Sequence, residues 1–199
     1  MILTGSAISD AVKAGQIIID PFDSARIGPN SYDFQLGNRC RVYLNEELDS
    51  AKENASKIFD IGPEGLLLNP SRIYLINTME RMGSTHFVPI FRGRSSVGRL
   101  GIFINITADI IDIGSISQWT LQLHAVAPVR VYPGMVIGQV TFWVPQGPID
   151  LYSGKYSEVP SPAASLSYRD FTLPPGQENP KTASGLDHSV HRPGSLGAS

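Results

Sequence analysis

The chain has 199 residues, of which 42% are hydrophobic and 17% charged, with a formal net charge of −2. That length fits one domain able to bury roughly 70% of the surface its unfolded form exposes, and the low charge suits a sheet-rich chain with buried subunit contacts, so an oligomer is expected. No basic block or Lys/Arg stripe provides the footprint of a nucleic-acid polymer, no apolar run approaches the ~18 residues that span a bilayer, and the opening MILTGSAISD is not a signal peptide, so a cytoplasmic location away from membranes is expected.

Along the chain, Thr4 or Ser6 can cap a short helix whose Ala7, Ile8, Ala11 and Val12 share one face, and Gly15 stands where it should stop. Residues 16–20 read as a β-branched strand closed by Asp20-Pro21, and residues 27–31 as a turn into Tyr32, Phe34 and Leu36 at strand spacing. Cys40, Val42 and Leu44 alternate, the polar residues 45–57 read as a surface loop or a brief exposed helix, and Leu66 to Leu68, Ile73 with Leu75, and Val88 with Ile90 continue a series of short strands. Ile102, Ile104 and Ile106 alternate, as do Val129 and Val131, and Ile137, Val140 and Phe142 follow the Pro133-Gly134 turn. Many short strands between polar turns predict a mostly β sandwich or small barrel. After Phe171 the composition turns to Pro, Gly and Ser, which predicts a domain over residues 1–171 and a flexible tail over residues 172–199.

Cys40 is the only cysteine, which excludes an intramolecular disulfide and a cysteine pair for zinc, and the four histidines, His86, His124, His188 and His191, are scattered. The segment Gly93-Arg94-Ser95-Ser96-Val97-Gly98-Arg99-Leu100-Gly101 lies between two apolar strands. Glycines allow close backbone approach, serine hydroxyls and N–H groups bind anions, and arginines pair with phosphate oxygens, so the run fits a triphosphate cradle as well as a solvated turn. Asp112 precedes Gly114 at the end of a β-branched run, where a carboxylate can accept from a sugar hydroxyl or simply cap a turn.

These segments, with Thr107-Ala108-Asp109-Ile110-Ile111-Asp112, residues 133–139, Ile18 to Phe22, the Pro29 to Gly37 block and Gly154-Lys155-Tyr156, resemble the dCTP deaminase family of the dUTPase superfamily. The resemblance implies a distorted β-barrel or jelly-roll-like, dUTPase-type domain with a short N-terminal helix. It also implies a homotrimer with active sites between subunits, and Mg²⁺ carried by the nucleotide triphosphate. By position, Arg94 and Ser96 would contact phosphates, Ser95 and the Ala108 carbonyl would position the attacking water, and Arg99 would brace the site. Asp112 would take the deoxyribose 3′-hydroxyl, while Lys155 and Tyr156 resemble a C-terminal lid over residues 152–171.

The chain departs from that pattern at Gln122, which stands where the family has its general-base glutamate. An amide cannot shuttle a proton, so zinc-independent conversion of dCTP to dUTP is expected to be slow or absent. His124, two residues along the same strand, is a lesser candidate to replace the base. Val159 stands near the place of a family glutamine, and Asp109 and Ile110 where some members carry His and Arg. Three readings follow: a hydrolase of the deaminase lineage acting on dCTP, a dUTPase-like diphosphohydrolase using Asp112, and a non-catalytic binder of dCTP, dUTP or dTTP. An unrelated sugar- or metal-binding sandwich ranks last, since clustered histidines are missing.

Overall fold

The computed structural model describes residues 1–157 and 159–171; the expected tail over residues 172–199 lies outside the described residues. A single nine-residue helix, α1 (Gly5–Lys13), opens the chain and buries Ile8 and Ala11. It ends as its sequence predicts. Gly15 sits at φ 70°, a conformation open to glycine, so its N–H reaches the Val12 carbonyl and the Gln16 N–H reaches that of Ala11, which closes the last turn.

Ten strands follow: β1 (Ile17–Asp20), β2 (Tyr32–Tyr43), β3 (Ser56–Asp60), β4 (Leu66–Leu68), β5 (Tyr74–Ser84), β6 (Val88–Gly93), β7 (Ile102–Phe103), β8 (Ser117–Ala125), β9 (Val129–Val131) and β10 (Val136–Trp143). The one-turn helix α2 (Ser95–Gly98) separates β6 from β7, and three-residue and four-residue 3₁₀ turns occupy Ser24–Arg26 and Ser167–Asp170. The main sheet runs β6-β10-β2-β5-β8-β7, with β1 also on β5 and β3 also on β2, while β4 and β9 form a separate ribbon. Every pairing is antiparallel. The result is the mostly β, barrel-like domain expected from the spacing of apolar residues. Among the described residues no helix is long and apolar enough to cross a membrane.

The core fills the inside of this curved sheet. Tyr32, Phe34 and Leu36 of β2, Leu121 and Leu123 of β8, and Val140 and Phe142 of β10 are fully buried on alternating positions, and Ile137 of β10 is buried beyond a register shift near Gly138. Phe34, Phe91 and Trp119 make an aromatic cluster with ring centroids 5.7–6.4 Å apart.

Four expectations need correcting. Tyr32 to Leu36 and Cys40 to Val42 are not two strands but one twelve-residue strand, its pairing with β5 interrupted between Leu36 and Cys40. Residues 45–57 form no helix, and their last two residues begin β3. The alternation at Ile102, Ile104 and Ile106 gives only a two-residue strand, because paired register with β8 is kept at Ile102 and Phe103 alone, although the Ile104 carbonyl still accepts from the Gln122 N–H. Asp112 does not end a strand: residues 109–112 are an extended segment tied to β6 by the bonds Phe91 N–H to Asp109 O and Ile111 N–H to Pro89 O, joined by one bridge between Ile90 and Ile110.

One polar knot crosses the core. Glu80 of β5 is fully buried, and its carboxylate accepts from Arg26 Nη1 at 2.6 Å and from the Gln35 main-chain N–H at 3.0 Å. Arg26 also lies 3.4 Å from Asp23. Burial still outweighs these partners and holds the Glu80 carboxyl above the usual glutamate range.

Candidate functional site

A cleft of about 610 Å³ is floored by β8 and the 106–112 segment and walled by the end of β2 and by residues 152–157 and 159–165. Its size suits a small organic ligand. From β8 come Ser117, Gln118, Trp119, Thr120 and Gln122; from the segment after β7 come Ile106, Thr107, Ala108 and Asp112; Tyr43, Leu75 and Phe91 complete the floor.

Gln122 is placed by two constraints. Its main-chain N–H donates to the Ile104 carbonyl at 2.9 Å and it faces Leu75 in the β5 register, so the 104–106 segment runs alongside it. Its side-chain Oε1 then accepts from the Ile106 N–H at 3.4 Å. Asp112 is the only charged side chain among the described residues of the wall. The chain turns beside it, where Gly114 takes φ 93° and a side chain would press on Leu151 and Tyr152. Trp119 Nε1 is sealed from solvent and finds no hydrogen-bond partner among the described residues.

Residues 152–157 and 159–171 lie across this cleft as a strap. Thr120 Oγ1 accepts from the Ala163 N–H at 2.9 Å, Tyr43 Oη accepts from the Ser165 N–H at 2.9 Å, and Tyr156 Oη accepts from the Leu166 N–H at 3.0 Å. Arg41 Nε donates to the Pro162 carbonyl at 2.8 Å while its Nη1 donates to Ser56 Oγ at 2.8 Å. Replacing Arg41 by alanine removes both, at roughly 0.5–1.5 kcal/mol each. The expected outcome is faster proteolytic cleavage and amide exchange within residues 152–171, with exchange in β2 and β5 little changed.

Of the residues singled out in the sequence, Ala108, Asp112, Gln122 and Tyr156 share the cleft wall, and so does Val159. Arg94, Ser95, Ser96, Arg99 and Lys155 do not line it. Ser95 and Ser96 are exposed on α2 and Arg99 just after it; α2 is anchored by buried Val97 and closed by Val97 and Gly98 N–H groups donating to the Arg94 carbonyl. The Arg94 guanidinium lies 3.4 Å from Asp33, Arg92 lies 3.3 Å from Asp109, and Lys155 pairs with Asp170. His124 is not part of the wall either: its ring packs toward Phe103, 6.3 Å between centroids, and its Nδ1 lies 3.4 Å from the Arg72 carbonyl. Tyr43, Leu75, Trp119, Thr120 and Tyr152 are wall residues that sequence reasoning missed; only Thr120 carried a signal, since it shares a β8 face with Gln122.

A family model described as dCTP deaminase-like matches residues 2–144. The chain belongs to this family. It is 43% identical over 172 residues to the dUMP-forming dCTP deaminase of Cytophaga hutchinsonii, covering 86% of this chain and 99% of that one. It is 44% identical over the same span to the dUMP-forming dCTP deaminase of Clostridium beijerinckii, again with 86% and 99% covered. The crystal structure of 2′-deoxycytidine 5′-triphosphate deaminase from Agrobacterium tumefaciens shares the fold, with a TM-score of 0.56 at 20% identity over 72% of this chain. The match spans 48%, about half, of that longer chain.

Proposed function

We propose that this family member binds a pyrimidine deoxynucleoside triphosphate in the 610 Å³ cleft and hydrolyses it, with attack at C4 of the base impaired. The observation that carries the reading is that Gln122 and Asp112 line one cleft, which supports an amide that reads the base and a carboxylate that accepts from the sugar. The relatives are named for forming dUMP from dCTP, and that conversion contains two hydrolyses, loss of the C4 amine and loss of pyrophosphate.

Deamination requires a group that takes a proton from water and returns protons to the ring nitrogen and the leaving amine. The Gln122 amide does neither. It can orient a water or a base, and nothing more. Cleavage at phosphate does not need a base at position 122, and Asp112 supports it as a second reading, because a carboxylate in the wall can orient a water and accept its proton. A chain that binds without either turnover would be a regulator.

In this reading the Arg94–Arg99 turn grips the phosphates. Since that turn lies outside the cleft wall of its own chain, the reading includes assembly, a homotrimer, in which one copy's turn completes another copy's cleft. In this reading magnesium enters on the triphosphate, held by phosphate oxygens with few protein ligands. When bound it would neutralise developing charge on the leaving pyrophosphate.

The test is a melting-temperature panel with dCTP, dUTP, dTTP and Mg²⁺, followed by pyrophosphate and ammonia assays. A ligand at 100 times its Kd stabilises the folded state by about 2.7 kcal/mol, so a clear upward shift is expected with pyrimidine nucleotides. Pyrophosphate release from dUTP is expected to fall by at least about 10²-fold in Asp112→Asn, in line with loss of a general base. No shift with any of the three nucleotides would refute the proposal.

A further inference from the structure

The Gln122 amide has a fixed polarity. A glutamine carries an acceptor at one end and a two-proton donor at the other, and the two ends are told apart by their partners. Here the partner is the Ile106 main-chain N–H, which can only donate, so it takes Oε1. Nε2 is left without an acceptor among the described residues. The neighbouring wall residues Ile73, Leu75 and Ile106 offer it only apolar side chains. A second wall residue, Trp119, also has an N–H without an acceptor. Of these two N–H groups only that of Gln122 can meet a ligand, since Trp119 Nε1 is sealed from solvent, and the single carboxylate among the described wall residues, Asp112, is on the segment after β7, not on β8.

We infer that Gln122 sets the base selectivity of the cleft in favour of 4-oxo pyrimidines, the uracil and thymine type, over 4-amino pyrimidines; this rests on the nucleotide-binding reading above. A carbonyl at C4 accepts from Nε2 while Oε1 keeps its bond to Ile106. An amino group at C4 meets a donor with a donor. At the place where Nε2 points it finds no acceptor: it can use only the second lone pair of Oε1, beside the Ile106 N–H, or force the amide to turn over, which breaks the Ile106 bond. A glutamate at the same place reverses the preference, because a carboxylate accepts from the amino group and repels a carbonyl. The same substitution that removes a proton shuttle thus also moves the site from reading cytosine to reading uracil.

The experiment measures binding of dUTP and dCTP analogues whose α,β-bridging oxygen is replaced by an imide, which blocks loss of pyrophosphate, to the full chain with Mg²⁺, the cytosine analogue being read before any ammonia is released. The wild-type protein is expected to bind the uracil analogue about tenfold tighter, the size of one well-placed hydrogen bond. Gln122→Glu is expected to reverse the order, and Gln122→Met, which offers neither donor nor strong acceptor, to bind both within about twofold. Equal affinities in the wild-type protein, a preference for the cytosine analogue, or a ratio unmoved by both substitutions would overturn the inference while the nucleotide-binding reading stands. Failure to bind either analogue would overturn both. Should Gln122→Glu fail to fold by its melting curve, the wild-type ratio and the Met variant decide.

Discussion

Gln122→Glu is expected to raise the rate of ammonia release from dCTP by ~10² to 10⁴, the usual worth of a positioned general base. The environment is already arranged for a carboxylate. The Ile106 N–H that now donates to Oε1 would donate to the new carboxylate, and the strand register that sets Gln122 opposite Leu75 is unaffected by an isosteric change. Among the described residues of β8 no titratable side chain lines the cleft. His124, on the same strand, is turned toward Phe103 and the Arg72 carbonyl and takes no part in the wall, so His124→Asn is expected to leave ammonia release unchanged in both backgrounds. The measurement is ammonia and deaminated nucleotide from dCTP with Mg²⁺, wild type against variant. If the variant releases no more ammonia than the wild type, position 122 is not where this cleft handles the proton.

What the sequence made legible follows from where the pattern is clean. Tyr32, Phe34 and Leu36, or Val140 and Phe142, alternate because one face of each strand meets the core and the other meets solvent or a neighbour. β5 was seen only at its start. Its Asn77, Thr78 and Glu80 are buried polar residues, and they break the apolar alternation although each has a partner: Asn77 Oδ1 accepts from the Arg39 N–H, Thr78 Oγ1 from the Trp119 N–H, and Glu80 from Arg26. A polar residue inside a strand reads as a turn until its partner, 38 to 54 residues away, is known. β3 was hidden for the opposite reason, being largely exposed at the edge of β2.

The candidate site divides in the same way. Ala108, Asp112, Gln122 and Tyr156 could be picked out because a motif carried them. Tyr43, Leu75 and Trp119 could not, since they enter the wall only through the pairing of β2 with β5 and of β5 with β8. Motif residues also misled in one respect. Asp112 was placed at the end of a strand because Ile110 and Ile111 are β-branched, yet tertiary contacts with β6 hold that segment as an extended loop, which leaves its carboxylate at the cleft.

Arg26→Ala is the substitution expected to cost the most stability. Glu80 has no exposure to solvent, and of its partners Arg26 alone brings a full positive charge, at 2.6 Å. Removing one member of a buried pair leaves the other charge uncompensated and costs about 3–5 kcal/mol, which for a chain of this size lowers the melting temperature by roughly 6–20 °C. The loss has a pH signature. Burial already holds the Glu80 carboxyl above the usual range, and without the guanidinium the folded form takes up its proton more readily still. A carboxyl with a raised folded-state value contributes stability that is fully present below the unfolded value and is lost as pH rises through the folded one. Arg26→Ala is therefore destabilised least at acid pH and most near neutrality, and adding Glu80→Gln, which keeps an acceptor for the Gln35 N–H but carries no charge, is expected to restore a large part of the loss at pH 7 and to flatten the dependence. Melting curves of the two single variants and the double variant between pH 4 and pH 8 check it. A deficit in Arg26→Ala that is the same at every pH, and is not relieved by Glu80→Gln, would mean that Arg26 acts through packing and not by balancing the buried carboxylate.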